Sequence, residues 1–237
     1  MKIALIGYGK MGKIIERLAL ERGHEIVAIF NSKQPFNKQD RTEADVAIEF
    51  TRPDTVVAHI KTAVDQHLPI VVGTTAWNEA QEEIFELVRQ QDGSLLYASN
   101  FSVGVNIFQQ LTEKLARLIE TQTQYTLRIE ETHHLQKLDA PSGTAVTLAD
   151  GIIANNTNYS EWQLGDKVSK NQISIIAHRE PDVPGTHEVY ATSAIDTIML
   201  SHEAHSREGF ALGAILAAEF LHGKQGIYTM KDVLNLK

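Results

Sequence analysis

The sequence predicts an α/β protein in which a doubly wound parallel sheet is followed by a second α+β domain with a mixed or antiparallel sheet. Three observations support this class. Apolar runs alternate strictly with helical patterns through the first hundred residues, a glycine-rich turn follows the first run, and several strand-like runs succeed one another after Asn100. The 237 residues suffice for two domains with sizeable cores.

The first part of the chain contains five apolar runs that we interpret as buried strands. They are residues 2–6 (KIALI), 25–30 (EIVAIF), 45–50 (DVAIEF), 69–73 (PIVVG) and 94–98 (SLLYA). Helical patterns cover residues 10–22, 53–66 and 78–91. This alternation is typical of a parallel sheet covered by helices on both faces.

The pattern changes near residues 100–103, where we place the domain boundary. A helix at 104–120, a strand at 124–132 and a helix at 142–154 come first, and residues 155–171 are polar and indicate a loop. Strand-like runs then follow at 173–179, 186–192 and 195–202, and the last features are an apolar helix at 208–221 and a short tail. Consecutive strands with short links favour a mixed or antiparallel sheet.

Composition excludes several classes of function. The net charge of -8 argues against broad nucleic-acid binding, which requires a basic face. The absence of cysteine excludes disulfides and thiolate metal sites. No apolar stretch approaches the roughly 20 residues that span a bilayer, and the first residues show no signal-peptide pattern, so we expect a cytoplasmic protein with no membrane partner.

The turn GYGKMG, from Gly7 to Gly12, follows the first strand and opens the first helix. In this G-x-G-x-x-G context Gly7 permits the tight turn, Gly9 permits close approach to a pyrophosphate, and Gly12 permits close packing of helix and strand. The helix start adds free N–H groups for phosphate. A turn without function is the alternative, but the strand–turn–helix order favours a Rossmann-type dinucleotide site.

The identity of the dinucleotide depends on residues after the second strand, where NAD-binding folds usually carry an acid. Here the positions are Asn31, Ser32 and Lys33, whose hydroxyl and ammonium groups could receive a 2'-phosphate, unless Lys33 is merely solvated. We therefore expect NADPH to be accepted. The turns at 73–75 (GTT) and 98–101 (ASNF) follow predicted strands and are placed to contact the nicotinamide half, although each could be an ordinary loop.

Residues 130–145 (EETHHLQKLDAPSGTA) concentrate chemically active groups. Pro141 suits the first turn of a helix, so the amides of Gly143 and Thr144, with the Thr144 hydroxyl, would form an anion receptor. Lys137 and protonated histidines would add positive charge, which suits a substrate with one or two carboxylates. Glu130 and Glu131 could hold these cations or merely be strand-end charges.

Two alternatives apply to the paired histidines of this segment. Adjacent histidines are not a usual metal-ligand pair and no metalloprotease-type spacing accompanies them, so we expect no metal. His133 and His134 could also be plain surface residues, but their position before a Pro-Ser-Gly-Thr helix start favours a site. Either a histidine or Lys137 could act as general acid.

The motif E-x-H-H-x-x-K-x-D-x-P-S-G-T-A closely resembles the signature of the 4-hydroxy-tetrahydrodipicolinate (dihydrodipicolinate) reductase family. Further similar segments are the glycine turn, 49–53 (EFTRP), 73–75 (GTT), 100–106 (NFSVGVN), 183–186 (VPGT) and the closing GIYTMKDVLNL. Departures are a glycine turn one residue shorter than in many members, Asn31 in place of an acid, and a shortened region at 155–200.

The resemblance implies an enzyme that reduces the product of dihydrodipicolinate synthase with NADPH or NADH, on the route to diaminopimelate and lysine. It implies that His133 is the acid/base group, Lys137 the proton donor, His134 a substrate contact, and Gly143 and Thr144 a carboxylate grip. The residues expected to line the cofactor are Gly7, Tyr8, Gly9, Lys10, Met11, Gly12, Asn31, Ser32, Lys33, Gly73, Thr74, Thr75, Ala98, Ser99, Asn100 and Phe101.

The resemblance also implies a dinucleotide-binding domain at 1–102, completed by 207–237, and a substrate-binding and oligomerisation domain at 103–206 that builds a homotetramer. Two other functions stay open at this point. One is another two-domain NAD(P)-dependent dehydrogenase of amino-acid metabolism, and the other is a non-catalytic nicotinamide sensor. The first would lack the His-His-x-x-Lys loop, and the second could dispense with His133 or Lys137.

Overall fold

The structure is a computed structural model that describes residues 1–37, 39–40 and 42–236. The chain divides into two compact units. Unit 1 comprises residues 1–103 together with the chain from 208 onward, and unit 2 comprises Gly104–Arg207. Among the residues described, no helix combines the length and apolarity needed to cross a bilayer.

The secondary-structure elements alternate in the first half and cluster by type in the second. The first elements are β1 (Lys2–Ile6), α1 (Lys10–Glu21), β2 (Glu25–Phe30), β3 (Val46–Glu49), α2 (Pro53–Asp65), β4 (Ile70–Val72), a 3-10 turn (Asn78–Ala80), α3 (Gln81–Gln90) and β5 (Ser94–Tyr97). They are followed by α4 (Val103–Ile119), β6 (Thr126–His133), α5 (Gly143–Asn155), β7 (Glu161–Leu164), β8 (Gln172–Arg179), β9 (Gly185–Thr192), β10 (Thr197–Ala204), α6 (Glu208–Leu221), β11 (Gly226–Tyr228) and α7 (Met230–Val233).

Unit 1 is built on a six-stranded sheet of order β11-β5-β4-β3-β1-β2, with all pairings parallel. Successive residues of β1 enter different cores: Ile3 and Leu5 pack with α1 and α6, whereas Ala4 and Ile6 pack with α2 and α3. Burial on both faces explains why the sequence shows a continuous apolar run. The strand order reverses beside β1, so a crevice opens beyond the carboxyl ends of β1 and β3.

Unit 2 contains a five-stranded mixed sheet of order β10-β9-β6-β8-β7. β6 is antiparallel to β9 and parallel to β8. Leu127 and Ile129 of β6 are buried in the same core as α4 and α5, as the period of two requires. The same alternation directs Glu131 and His133 to this buried side, at the carboxyl end of the strand.

The predicted fold class is confirmed, and three local predictions were wrong. Residues 155–171, predicted as loop, contain β7, an edge strand paired with β8 whose residues are mostly exposed and so lack an apolar pattern. The predicted tail contains β11, which extends the parallel sheet, and α7. The strand predicted from 195 begins at Thr197, because Ser193 and Asp196 close a turn that leaves Ile195 90% exposed.

Candidate functional site

The glycine turn of unit 1 has the geometry that close approach requires. Gly7 has φ +102°, and a Cβ there would lie 2.0 Å from the Phe50 carbonyl oxygen. A Cβ on Gly12 would lie 2.3 Å from the Gly7 carbonyl oxygen, so this glycine lets α1 pack against the turn. A Cβ on Gly9 would meet no atom within 4 Å, which leaves its backbone open to a ligand.

A cleft of about 370 Å³ lies at this turn, beyond the carboxyl ends of the parallel strands. Its lining includes six of the predicted cofactor residues, namely Gly9, Lys10, Met11, Gly73, Thr74 and Thr75. Phe50, Thr51 and Pro53 also line it and were not predicted, although their position directly after β3 was a usable signal. The open turn and the positive end of α1 fit the phosphates of a dinucleotide.

The Gly73–Thr75 turn is held in place by hydrogen bonds and by packing. The Thr51 amide donates to the Thr74 hydroxyl at 2.8 Å, and the Trp77 indole donates to the Thr74 carbonyl at 2.9 Å. A Cβ on Gly73 would lie 2.3 Å from the ring of Phe50. A side chain at position 73 would therefore displace the Phe50 ring, which lines the cleft.

The remaining predicted cofactor residues lie outside the lining of the cleft. The Asn31 side-chain oxygen accepts from the Lys33 and Gln34 amides at 2.9 and 3.2 Å, and this turn exposes Ser32 and Lys33. The Tyr8 hydroxyl donates to Glu16. Ser99 is exposed, Ala98 and Asn100 are half-buried, and Phe101 is buried against Phe50 at 5.8 Å between ring centroids.

In unit 2 the predicted histidine-lysine segment joins the end of β6 to the start of α5. His133 is the last residue of β6 and is buried, whereas His134 is half-buried in the turn that follows. Helix α5 begins at Gly143 and Thr144, capped by the Ser142 hydroxyl, which accepts from the Ala145 amide at 3.2 Å. Pro141 follows a cis peptide bond and precedes the cap, so the prediction that it occupies the first helical turn was wrong.

Glu131 lies at the centre of a polar cluster with the buried residues His133, Ser142 and His187 and the half-buried Arg179. One carboxylate oxygen accepts from the Ser142 amide at 3.0 Å and faces the Arg179 guanidinium at 3.5 Å. The other lies 3.6 Å from His133 Nδ1 and 3.6 Å from His187 Nε2. His187 Nε2 also lies 3.2 Å from the Ser142 hydroxyl.

The environment shifts the pKa of two members of this cluster. Burial alone would raise the pKa of Glu131, but the neighbouring His187 and Ser142 outweigh it and lower the pKa to about 2. Burial, followed by the neighbouring His187, lowers the pKa of His133 to about 4, although Glu131 acts in the opposite direction. At neutral pH the site therefore contains an ionised Glu131 and a neutral His133.

Lys137 and Arg179 supply the positive charge of the segment. The Lys137 ammonium contacts both oxygens of Asp139 at 2.7 and 2.9 Å, and this pairing lowers the pKa of Asp139. The Arg179 guanidinium donates to the carbonyls of Lys137, His178 and Asp139 at 3.3, 2.7 and 2.6 Å. Arg179 therefore braces the loop that carries the lysine.

Glu131, His133 and His187 place three potential metal-ligand atoms within 4.8 Å of one another. The carboxylate among them already faces the Arg179 guanidinium, and the positive charges of Lys137 and Arg179 also act on His133. The positive charges of Lys137 and Arg179 beside the cluster oppose the binding of a further cation there.

Ser142, Arg179 and His187 were not predicted as members of this cluster, and two roles remained open for Glu131. A glutamate at an inward position of β6, where apolar residues precede it, was a usable signal. The contributions of β8 and β9 were not visible, because nothing in the sequence specifies which strands flank β6.

Comparisons with known proteins agree with the motif resemblance. The domain family "Dihydrodipicolinate reductase, N-terminus" matches residues 1–101, and "Dihydrodipicolinate reductase, C-terminus" matches residues 104–234. The chain is 46% identical over 235 residues to a 4-hydroxy-tetrahydrodipicolinate reductase of Christiangramia forsetii, with 99% of this chain and 98% of the relative covered. It is 37% identical over 248 residues to the enzyme of that name from Staphylococcus carnosus, with 99% and 100% covered.

Solved structures resemble the fold at lower identity. A dipicolinate-bound dihydrodipicolinate reductase from Paenisporosarcina sp. TG-14 matches with a TM-score of 0.78 and 22% identity over 100% of this chain and 99% of that one. An amine dehydrogenase from Mycobacterium smegmatis matches with a TM-score of 0.62 and 10% identity over 97% and 95%. At these identities the likeness concerns the fold. Since the domain matches and the full-length relatives agree, the chain belongs to the dihydrodipicolinate reductase family.

Proposed function

We propose that this protein reduces 4-hydroxy-tetrahydrodipicolinate to tetrahydrodipicolinate with NADPH or NADH, in the synthesis of diaminopimelate and lysine. The observation that carries the proposal is the convergence of His133, His134 and Lys137 with the start of α5 in one segment of a chain 46% identical to an enzyme of that name. The reaction consumes one hydride and one proton and releases one water for each substrate molecule. A nicotinamide bound in the cleft of unit 1 would supply the hydride.

The protein's part in this reaction is to bind two carboxylates and deliver a proton. Gly143 and Thr144, at the positive end of α5, hold one carboxylate, and His134 contributes to binding. Lys137 gives up its contact with Asp139 to meet the substrate and donates the proton. His133 is neutral at pH 7 and acts as the acid/base partner once substrate charge raises its pKa.

In unit 1 we assign cofactor binding to the glycine turn and the cleft beside it. The Gly7–Gly12 turn and α1 hold the pyrophosphate, and Gly73, Thr74 and Thr75 form one wall of the cleft. Asn31, Ser32 and Lys33 contact the adenosine ribose, where exposed Ser32 and Lys33 accommodate a 2'-phosphate. Ala98, Ser99, Asn100 and Phe101 complete the cofactor site after β5.

We assign dinucleotide binding to residues 1–102 and 207–237, and substrate binding to residues 103–206. Residues 103–206 also build a homotetramer. We assign the protein to the cytoplasm. The tetramer is supported by the edge strand β10, where Ile198 is 40% and Met199 is 53% exposed. Light scattering during size-exclusion chromatography tests it, and a monomer would contradict it. Cell fractionation tests the location.

The enzymatic proposal is tested by coupling the purified protein to dihydrodipicolinate synthase and following the absorbance of NADPH or NADH. Oxidation of cofactor that depends on both the synthase and this protein is expected. Titrating the two cofactors separately measures the preference. A protein that binds cofactor but never oxidises it would instead be the nicotinamide sensor.

A further inference from the structure

Glu131 is a charged residue on the buried face of β6, where the preceding buried residues are apolar. It follows Leu127 and Ile129 on the buried side of β6, and its side chain is fully buried. A buried carboxylate is costly unless it is hydrogen-bonded and paired with positive charge. The sheet supplies partners from both flanks, since His187 is its register neighbour on β9 and Arg179 extends from β8.

The two oxygens of Glu131 face two different parts of the candidate site. Oε1 accepts from the amide of Ser142, the cap residue that immediately precedes Gly143 and Thr144. Oε2 is buried, has no hydrogen-bond partner among the described residues, and faces Nδ1 of His133, which is also buried and unpartnered. One carboxylate therefore spans from the start of α5 to the end of β6.

We propose that Glu131 is a positioning residue that couples the carboxylate-binding start of α5 to the orientation and tautomer of His133, an assignment that rests on the proposed reductase function. The negative charge of the carboxylate, 3.6 Å from Nδ1, favours the tautomer of the neutral imidazole that carries its proton on Nδ1. Nε2 is left as the acceptor, beside Gly185, where a Cβ would lie 3.1 Å from it. The same anion stabilises the imidazolium when His133 takes up a proton.

His187 and Ser142 complete this coupling. His187 Nε2 lies near both Glu131 and the Ser142 hydroxyl, and the rings of His133 and His187 meet edge to face with centroids 5.0 Å apart. Movement of the carboxylate would therefore disturb the helix cap and the acid/base histidine together. A residue that merely supports the fold would affect stability without affecting the tautomer of His133.

The test compares Glu131→Gln with Glu130→Gln in the full-length protein. Glu130 is the adjacent residue of β6, and its side chain contacts Arg128 at 2.7 Å. For Glu131→Gln we expect kcat to fall and the Kd of pyridine-2,6-dicarboxylate to rise, each roughly tenfold or more, because a hydrogen bond to a charged group is replaced. Cofactor affinity should stay unchanged, and Glu130→Gln should match the wild type in all three measurements.

Two readouts distinguish positioning from folding. Imidazole ¹⁵N NMR should show the Nδ1–H tautomer of His133 in the wild type and its loss in Glu131→Gln, and the pH profile of kcat/KM should shift in that variant. If circular dichroism shows that Glu131→Gln does not fold, the same measurements are made on Glu131→Asp. This variant keeps the negative charge but shortens the reach of the carboxylate. Wild-type kcat and dicarboxylate Kd in a folded variant would overturn the inference, whereas a wild type without reductase activity would overturn the proposed function instead.

Discussion

The buried imidazole of His133 is expected to make the stability of unit 2 fall on mild acidification. Burial, His187, Lys137 and Arg179 lower its pKa from 6.5 to about 4, against the effect of Glu131. Between these values the unfolded chain binds a proton that the folded chain does not bind. Acidification therefore favours unfolding, and the stability is lost as the pH falls from about 6.5 towards about 4.

The size of the effect follows from the two pKa values. Each pH unit below the unfolded pKa costs about 1.4 kcal/mol while the folded imidazole stays neutral. From about pH 7.5 to about pH 5, His133 should thus lower the free energy of unfolding by about 2 kcal/mol. The pKa of Glu131 is lowered from 4.5 to about 2, so its own contribution is lost only at lower pH, as the pH falls through that range.

The assay is urea unfolding of His133→Gln and its parent at both pH values. The sequence contains two tryptophans, Trp77 in unit 1 and Trp162 on β7 of unit 2, so a Trp77→Phe background makes fluorescence report unit 2. His133→Gln should lose about 2 kcal/mol less than the parent on acidification. The exposed His222 of unit 1 provides a control, His222→Gln, that should lose as much as the parent. Equal losses in the parent and His133→Gln would show that His133 does not cause the loss of stability at low pH.

Three other variants test the assigned roles. Lys137→Ala should lower kcat at least about a hundredfold, because the variant lacks the proton donor. Cofactor affinity should stay unchanged, because the glycine turn belongs to the other unit. A wild-type kcat would show that Lys137 is not the proton donor. Thr144→Val should raise KM about tenfold through loss of a hydrogen bond to a carboxylate, and an unaltered KM would contradict the anion receptor. Gly73→Ala should weaken NADPH binding, measured by nicotinamide fluorescence, because its Cβ would overlap the Phe50 ring; wild-type affinity would show that this ring does not shape the cofactor site.

Most elements of unit 1 could be predicted because they are buried in a regular way. Strands β1 to β5 are apolar on both faces, so their periodicity is visible without knowledge of their neighbours. β7 and β11 were not predicted, because they lack this regular burial. β7 is mostly exposed and β11 has three half-buried residues, so pairing with β8 and β5 defines these strands rather than an apolar pattern.

The candidate site likewise has residues that could be predicted from the sequence and residues that could not. Gly7–Gly12 and the segment from His133 to Thr144 are continuous in the chain, and their chemistry follows from local rules for turns and helix starts. The residues that tune this chemistry come from separate strands. Ser142 and His187, for example, are 45 positions apart and meet because β6 lies beside β9.

The two-domain α/β architecture, the glycine turn and the cationic loop before α5 could be predicted from the amino-acid sequence, because each depends on residues close together in the chain. Three other features depend on the folded chain: Glu131 lies between a helix cap and the histidine pair, Arg179 braces the lysine loop, and His133 is neutral at pH 7. The physical reason is that burial and charge–charge contacts set the pKa of a group, and both arise only when strands distant in the chain become neighbours.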